Sequence, residues 1–184
     1  STRVNGQNGY CHIVCNPLYT AYFTTPAKDR LTVIDVLSNY RPRRFLVNEE
    51  ALGYVEAYGL SAVRRRQLGQ LPYGTIVDEA TMQALLEAHL PGLGPQQRKW
   101  ILDATAVAAY HADLECPVVR LLGCDDAPQF TLVTEELGLC WVHEGRHYKK
   151  LVPYVPYHRA LVEDFVQRFW AYYDQFLAYR EQPT

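Results

Sequence analysis

An α/β fold is the class the sequence predicts, and three observations predict it. Short β-branched and aromatic runs separated by turn signals open the chain, helical periodicity fills the middle, and apolar strand-type runs return before a long amphipathic helix. At 184 residues, 48% of them hydrophobic, the expectation is a single globular domain spanning residues 1–184, with a helical insertion at about 49–115. A chain of this length can bury roughly 70% of its unfolded surface. It needs no disulfide or metal to hold a core.

The elements follow in order. Tyr10 to Cys15 and Tyr19 to Thr25 read as strands joined at Asn16-Pro17, a turn signal. Asn5-Gly6 and Asn8-Gly9 mark a second tight connection, back to a strand ending at Val4. In Asp29 to Leu37 the residues Leu31, Ile34 and Leu37 recur three apart and predict a short helix. Arg44 to Val47 is a brief strand. Helical spacing then governs Met82, Leu85, Leu86 and His89, and again Trp100, Ile101, Ala104, Val107, Ala108 and His111. Thr75 with Asp78 resembles a capping box, Pro91-Gly92 stops the first of these helices, and Gly94-Pro95 starts the second. Val118 to Leu122 reads as an apolar strand, Leu132 to Leu137 as a short helix and Gly138 to His143 as a strand. From Pro156 a long amphipathic helix carries Leu161, Phe165, Phe169, Tyr172, Phe176 and Tyr179. The expectation is one mixed sheet with helices packed on it.

Composition narrows the function classes. No stretch approaches the ~20 apolar residues of a membrane span, so the expectation is a soluble, cytoplasmic protein with no membrane partner. Five cysteines at irregular spacings (Cys11, Cys15, Cys116, Cys124, Cys140) suit reduced thiols. Cys11 and Cys15 share a strand face, which packing explains. The net charge of −2 is divided unevenly, +4 over residues 1–66 and −6 over the rest. Basic residues cluster at Arg41, Arg43 and Arg44, at Arg64, Arg65 and Arg66, and at Arg146, Lys149 and Lys150. Such clusters fit phosphate contacts or solvated surface. Phosphate-binding glycine loops, dinucleotide fingerprints and the common serine and zinc hydrolase motifs are absent from the sequence.

Two groups of residues can carry chemistry. Asp125 and Asp126 directly follow an apolar strand, where an open α/β sheet presents ligands and catalytic groups. A carboxylate there can hold Mg²⁺ or begin a turn. Cys140, His143 and His147 form a C-x-x-H-x-x-x-H pattern, with Cys124 a possible fourth zinc ligand.

These residues also carry a resemblance. Val4-Asn5-Gly6-Gln7-Asn8 leading into a hairpin, Asp125 in LLGCDDAPQF, and Cys140-Trp141-Val142-His143-Glu144-Gly145-Arg146 together resemble the DDE transposases of the insertion-sequence type numbered sixty-six. The resemblance implies a ribonuclease-H-like mixed sheet, metal-dependent strand transfer on the DNA ends of a mobile element, Mg²⁺ or Mn²⁺ as cofactor, and possible homo-oligomers on DNA. It makes Asp125 the second catalytic acid and a metal ligand. Asp126 stands where the family has glycine, so both aspartates are catalytic candidates. Cys140, His143 and Arg146 become residues beside the site, and Arg64, Arg65, Arg66, Arg146, Lys149 and Lys150 candidate DNA contacts. The family's first aspartate would lie before Ser1 and its glutamate beyond Thr184, which implies a partial core inactive by itself. The alternatives are a non-catalytic DNA- or protein-binding module, with Arg98 and Lys99 as further phosphate contacts, and a small zinc-stabilised domain or hydrolase.

Overall fold

The computed structural model describes residues 2–4, 6–115 and 117–183, so Asn5 and Cys116 of the sequence reading lie outside the described residues. The chain is α/β and divides into two compact units. The first comprises Ser1–Arg120 with Pro128–Glu135, the second Leu121–Ala127 with Glu136–Thr184.

The first unit begins with an antiparallel meander of β1 (Thr2–Val4), β2 (Gln7–Cys15) and β3 (Thr20–Thr25). Its register runs from Tyr10 opposite Thr25 to Cys15 opposite Thr20. Asn16 makes the turn: its Oδ1 accepts from the amides of Leu18 and Tyr19 at 2.8 and 3.0 Å, and its own N–H donates to the Tyr19 carbonyl at 3.0 Å. Gly6, at φ +78°, provides the left-handed residue of the β1–β2 connection.

Helix α1 (Arg30–Leu37) starts where Asp29 accepts from the Thr32 amide, and β4 (Arg44–Leu46) follows. Next come α2 (Glu49–Ala57), α3 (Ala62–Leu68), β5 (Ile76–Asp78), α4 (Glu79–His89) and α5 (Pro95–His111). Pro95 occupies the first turn of α5, and the Gln97 side chain accepts from the Gly94 amide at 3.3 Å. The core of this unit gathers Phe45, Val55, Leu68, Met82, Leu86, Ile101, Ala104 and Val107. Helix α5 is buried almost all round from Ile101 to Tyr110, because its small side chains let β4, α1 and α2 approach closely.

In the second unit β6 (Leu121–Cys124) pairs in parallel with β7 (Glu136–Leu139), followed by α6 (Trp141–Tyr148) and the 26-residue α7 (Pro156–Glu181). No helix among the described residues is long and apolar enough to cross a membrane.

Several expectations need correction. The described strands form three small sheets, β1–β2–β3, β4–β5 and β6–β7, instead of one mixed sheet. Residues 138–143 are not one strand: β7 ends at Leu139 and a helix starts at Trp141. Six residues fit period two and period 3.6 about equally well, and the aromatic face of α7 selects the helix. Leu132–Leu137 contains no helix, because Leu132 adopts φ +69° and residues from Glu136 pair with β6. The strand expected at 118–122 begins only at Leu121. Helix α4 is capped by Asp78, which accepts from the Thr81 amide, and not by Thr75.

Candidate functional site

Parallel pairing builds the site. Parallel neighbours send their carboxyl ends to the same edge, so the residues leaving β6 and those leaving β7 meet there. Cys124 pairs with Leu139, and the Cys140 amide extends the ladder by donating to the Cys124 carbonyl at 2.7 Å. Asp125 and Asp126 therefore emerge beside the first turn of α6.

Helix α6 has two faces. Trp141, Gly145 and Tyr148, at i, i+4 and i+7, lie against α7: the Trp141 ring stacks on Phe169 at 4.6 Å, and Tyr148 meets Phe165 and Phe169 edge-on at 4.9 and 5.2 Å. His143 and His147, also one turn apart, share a different face, with ring centroids separated by 5.2 Å. The Asp126 carboxylate stands 3.8 Å from His143 Nε2. One donor atom from each of Asp126, His143 and His147 lies within 4.8 Å of the other two, and no other such group of three forms among the described residues. A cleft of about 160 Å³ adjoins them, lined by Cys140, Trp141, Glu144 and Phe169 among others.

The two aspartates have separate tasks. Asp125 is half-buried and its Oδ1 accepts from the Ala127 amide at 3.2 Å, the turn-starting contact of an Asx motif. Asp126 is exposed and faces the histidines.

No described cysteine belongs to this group of three donors. Cys140 is exposed at the start of α6. Burial, the Asp125 charge and the neighbouring Cys140 push the Cys124 thiol up. Cys11 and Cys15 are exposed on β2, so packing does not account for their spacing.

The basic clusters of the first unit are largely consumed internally. Arg43 donates to both carboxylate oxygens of Asp35, with 2.7 Å from Nη2 to Oδ2, and Arg41 and Arg44 share Asp113. Arg64 donates to the Pro91 carbonyl and to Gln67, and Arg65 pairs with Glu56. Of that triplet, Arg66 alone is exposed. Arg98 pairs with Glu87, and Lys99 with Asp103. In the second unit Arg146, Lys149 and Lys150 are exposed near the end of α6, with the Lys149 ammonium 5.3 Å from the centre of the Trp170 ring.

Two polar clusters escaped the sequence reading. Buried Arg30 donates to Asp103, Tyr58, Thr131 and the Pro128 carbonyl. His111 places Nδ1 2.6 Å from Glu50 and Nε2 3.2 Å from the Val133 carbonyl. Both join residues far apart in sequence and carry no local signature. The H-x-x-x-H spacing of His143 and His147, by contrast, was a visible signal for a shared helix face.

No family model, no curated protein and no solved structure matches the chain.

Proposed function

We propose that this chain is part of the catalytic core of a DDE-type DNA transposase with a ribonuclease-H-like fold, acting in the cytoplasm on the ends of a mobile element. One observation carries the reading: an aspartate pair leaves the carboxyl end of a parallel strand directly beside the C-W-x-H element that leaves the neighbouring strand. That is the edge at which open α/β sheets hold their catalytic groups.

Strand transfer by two Mg²⁺ ions requires about three carboxylates around ions ~4 Å apart. The residues present do not form such a site. Asp125 is engaged with the Ala127 amide, and the one three-donor group among the described residues contains two imidazoles. In the proposed enzyme Asp125, with its second carboxylate oxygen, contributes one acid of three, and the other two are proposed to come from outside these 184 residues. Arg146 and Lys150 would steady the DNA backbone beside the site, neutralising phosphate charge.

A non-catalytic protein-contact module is the second reading. The exposure of Leu161, Phe165, Tyr172, Phe176 and Tyr179 along α7, each about half or more, favours it.

The test compares the 184-residue chain with the product of its extended reading frame, incubated with element-end DNA and Mg²⁺. The proposal expects no cleavage by the 184 residues, cleavage by the extended protein, and loss of that cleavage in Asp125→Ala. Cleavage by the shorter chain, or an active extended Asp125→Ala protein, would overturn it.

A further inference from the structure

We propose that Asp126, His143 and His147 form a binding site for a single transition-metal ion, of which Zn²⁺ is the representative. This site is separate from any magnesium chemistry at Asp125 and does not depend on the transposase reading.

The chemistry of the donors sets the class of ion. Two imidazole nitrogens and one carboxylate oxygen suit zinc, cobalt or nickel, whereas Mg²⁺ and Ca²⁺ take shells of oxygen. The geometry is close to what one ion needs. With bonds of ~2.0–2.1 Å, tetrahedral donors stand roughly 3.4 Å from one another. Asp126 Oδ1 and His143 Nε2 are 3.8 Å apart, and all three donors lie within 4.8 Å. Closing the remaining gap takes about an ångström of side-chain rotation, which is open to the Asp126 and His143 side chains because they are 52% and 37% exposed.

The platform is fixed on both sides. Trp141 and Gly145 lock the opposite face of α6 onto α7, so the two histidines project from a held helix. The β6–β7 ladder, continued by Cys140, fixes the turn that carries Asp126. Two nearby carboxylates are engaged elsewhere. Asp125 accepts from the Ala127 amide, and Glu144 accepts from the Tyr148 hydroxyl. Three protein ligands leave a coordination position open to water or to a small ligand in the adjoining cleft, the pattern of reactive rather than closed structural zinc sites. A bound ion would also clip the turn after β6 to α6.

The experiment titrates the full 184-residue chain with Zn²⁺ by calorimetry and records the absorption of its Co²⁺ complex. The expected result is one ion per chain, undisturbed by excess Mg²⁺. Affinity should fall about tenfold or more in His147→Gln and in Asp126→Asn, and stay at the wild-type value in Cys140→Ser. His143→Gln serves as an independent third variant, and far-ultraviolet circular dichroism confirms that each protein is folded. Absence of 1:1 uptake would overturn the proposal. So would wild-type affinity in both His147→Gln and Asp126→Asn, or a thiolate charge-transfer band on Co²⁺ that vanishes in Cys140→Ser. Because no DNA enters the measurement, the transposase reading can fail while this site stands, and the reverse.

Discussion

Gly145→Ala in α6 should destabilise the second unit, although glycine to alanine inside a helix ordinarily stabilises by about 1 kcal/mol. A Cβ built on Gly145 would sit 2.3 Å from Cζ2 and 2.8 Å from Cη2 of Trp170, and 3.0 Å from Phe169. Optimal carbon contacts are ~3.5–4.0 Å, so the indole must move by more than an ångström. It has little freedom to do so. Phe169 and Tyr173 meet the Trp170 ring edge-on at 5.4 and 5.7 Å, and Lys149 covers it. Overpacking of this kind costs about 1–3 kcal/mol, which cancels or exceeds the propensity gain, for a net loss of about 0–2 kcal/mol. Gly53 in α2 is the control, since a Cβ there meets nothing within 4 Å. Gly53→Ala should raise stability by about 0.5–1 kcal/mol. The assay is urea unfolding followed by tryptophan fluorescence, in which Trp141 and Trp170 report the second unit and Trp100 the first, read alongside circular dichroism. A Gly145→Ala protein more stable than the parent would refute the close α6–α7 contact and the fixed histidine platform built on it.

Two further outcomes concern the first unit. Burial raises the Asp29 pKa, but hydrogen bonds from the Thr32 amide and hydroxyl more than offset that and leave it below the usual carboxylate value. The stabilisation from this cap is therefore fully present above the unfolded-state pKa and is lost as pH falls through the lower folded one. Asp29→Ala should cost about 1 kcal/mol at pH 7, while Asp29→Asn keeps the cap and flattens the acid limb; denaturation curves at pH 7 and pH 3 measure both, and an unchanged acid limb in Asp29→Asn would contradict the assignment. Arg30 and Asp103 are 8% and 3% exposed and 3.2 Å apart, so Arg30→Met leaves a buried carboxylate with only Lys99 and should cost about 3–5 kcal/mol. The double variant with Asp103→Leu should recover much of that loss in the same urea assay, and a single variant within 1 kcal/mol of the parent would count against the buried pair.

Features encoded within a few residues were legible in the sequence. The Asn16-Pro17 turn and its flanking strands, the start of α5 at Pro95 and the long helix from Pro156 all stand where their local patterns place them. Turn chemistry and helical periodicity act between residues two to four apart, so no distant partner is needed to read them. The strand-end aspartates and the H-x-x-x-H spacing were likewise legible as candidate ligands. Tertiary structure decided the rest. Parallel pairing of β6 with β7 chose which carboxylate meets the histidines, turning Asp126 toward His143 while Asp125 holds its own turn. The aromatic face of α7 made Trp141–Tyr148 a helix where a six-residue pattern fitted a strand equally well. Arg43, Arg44 and Arg65, whose clusters fit phosphate contacts or solvated surface, pair with Asp35, Asp113 and Glu56, because a charge's role depends on which carboxylate folding brings within a few ångströms.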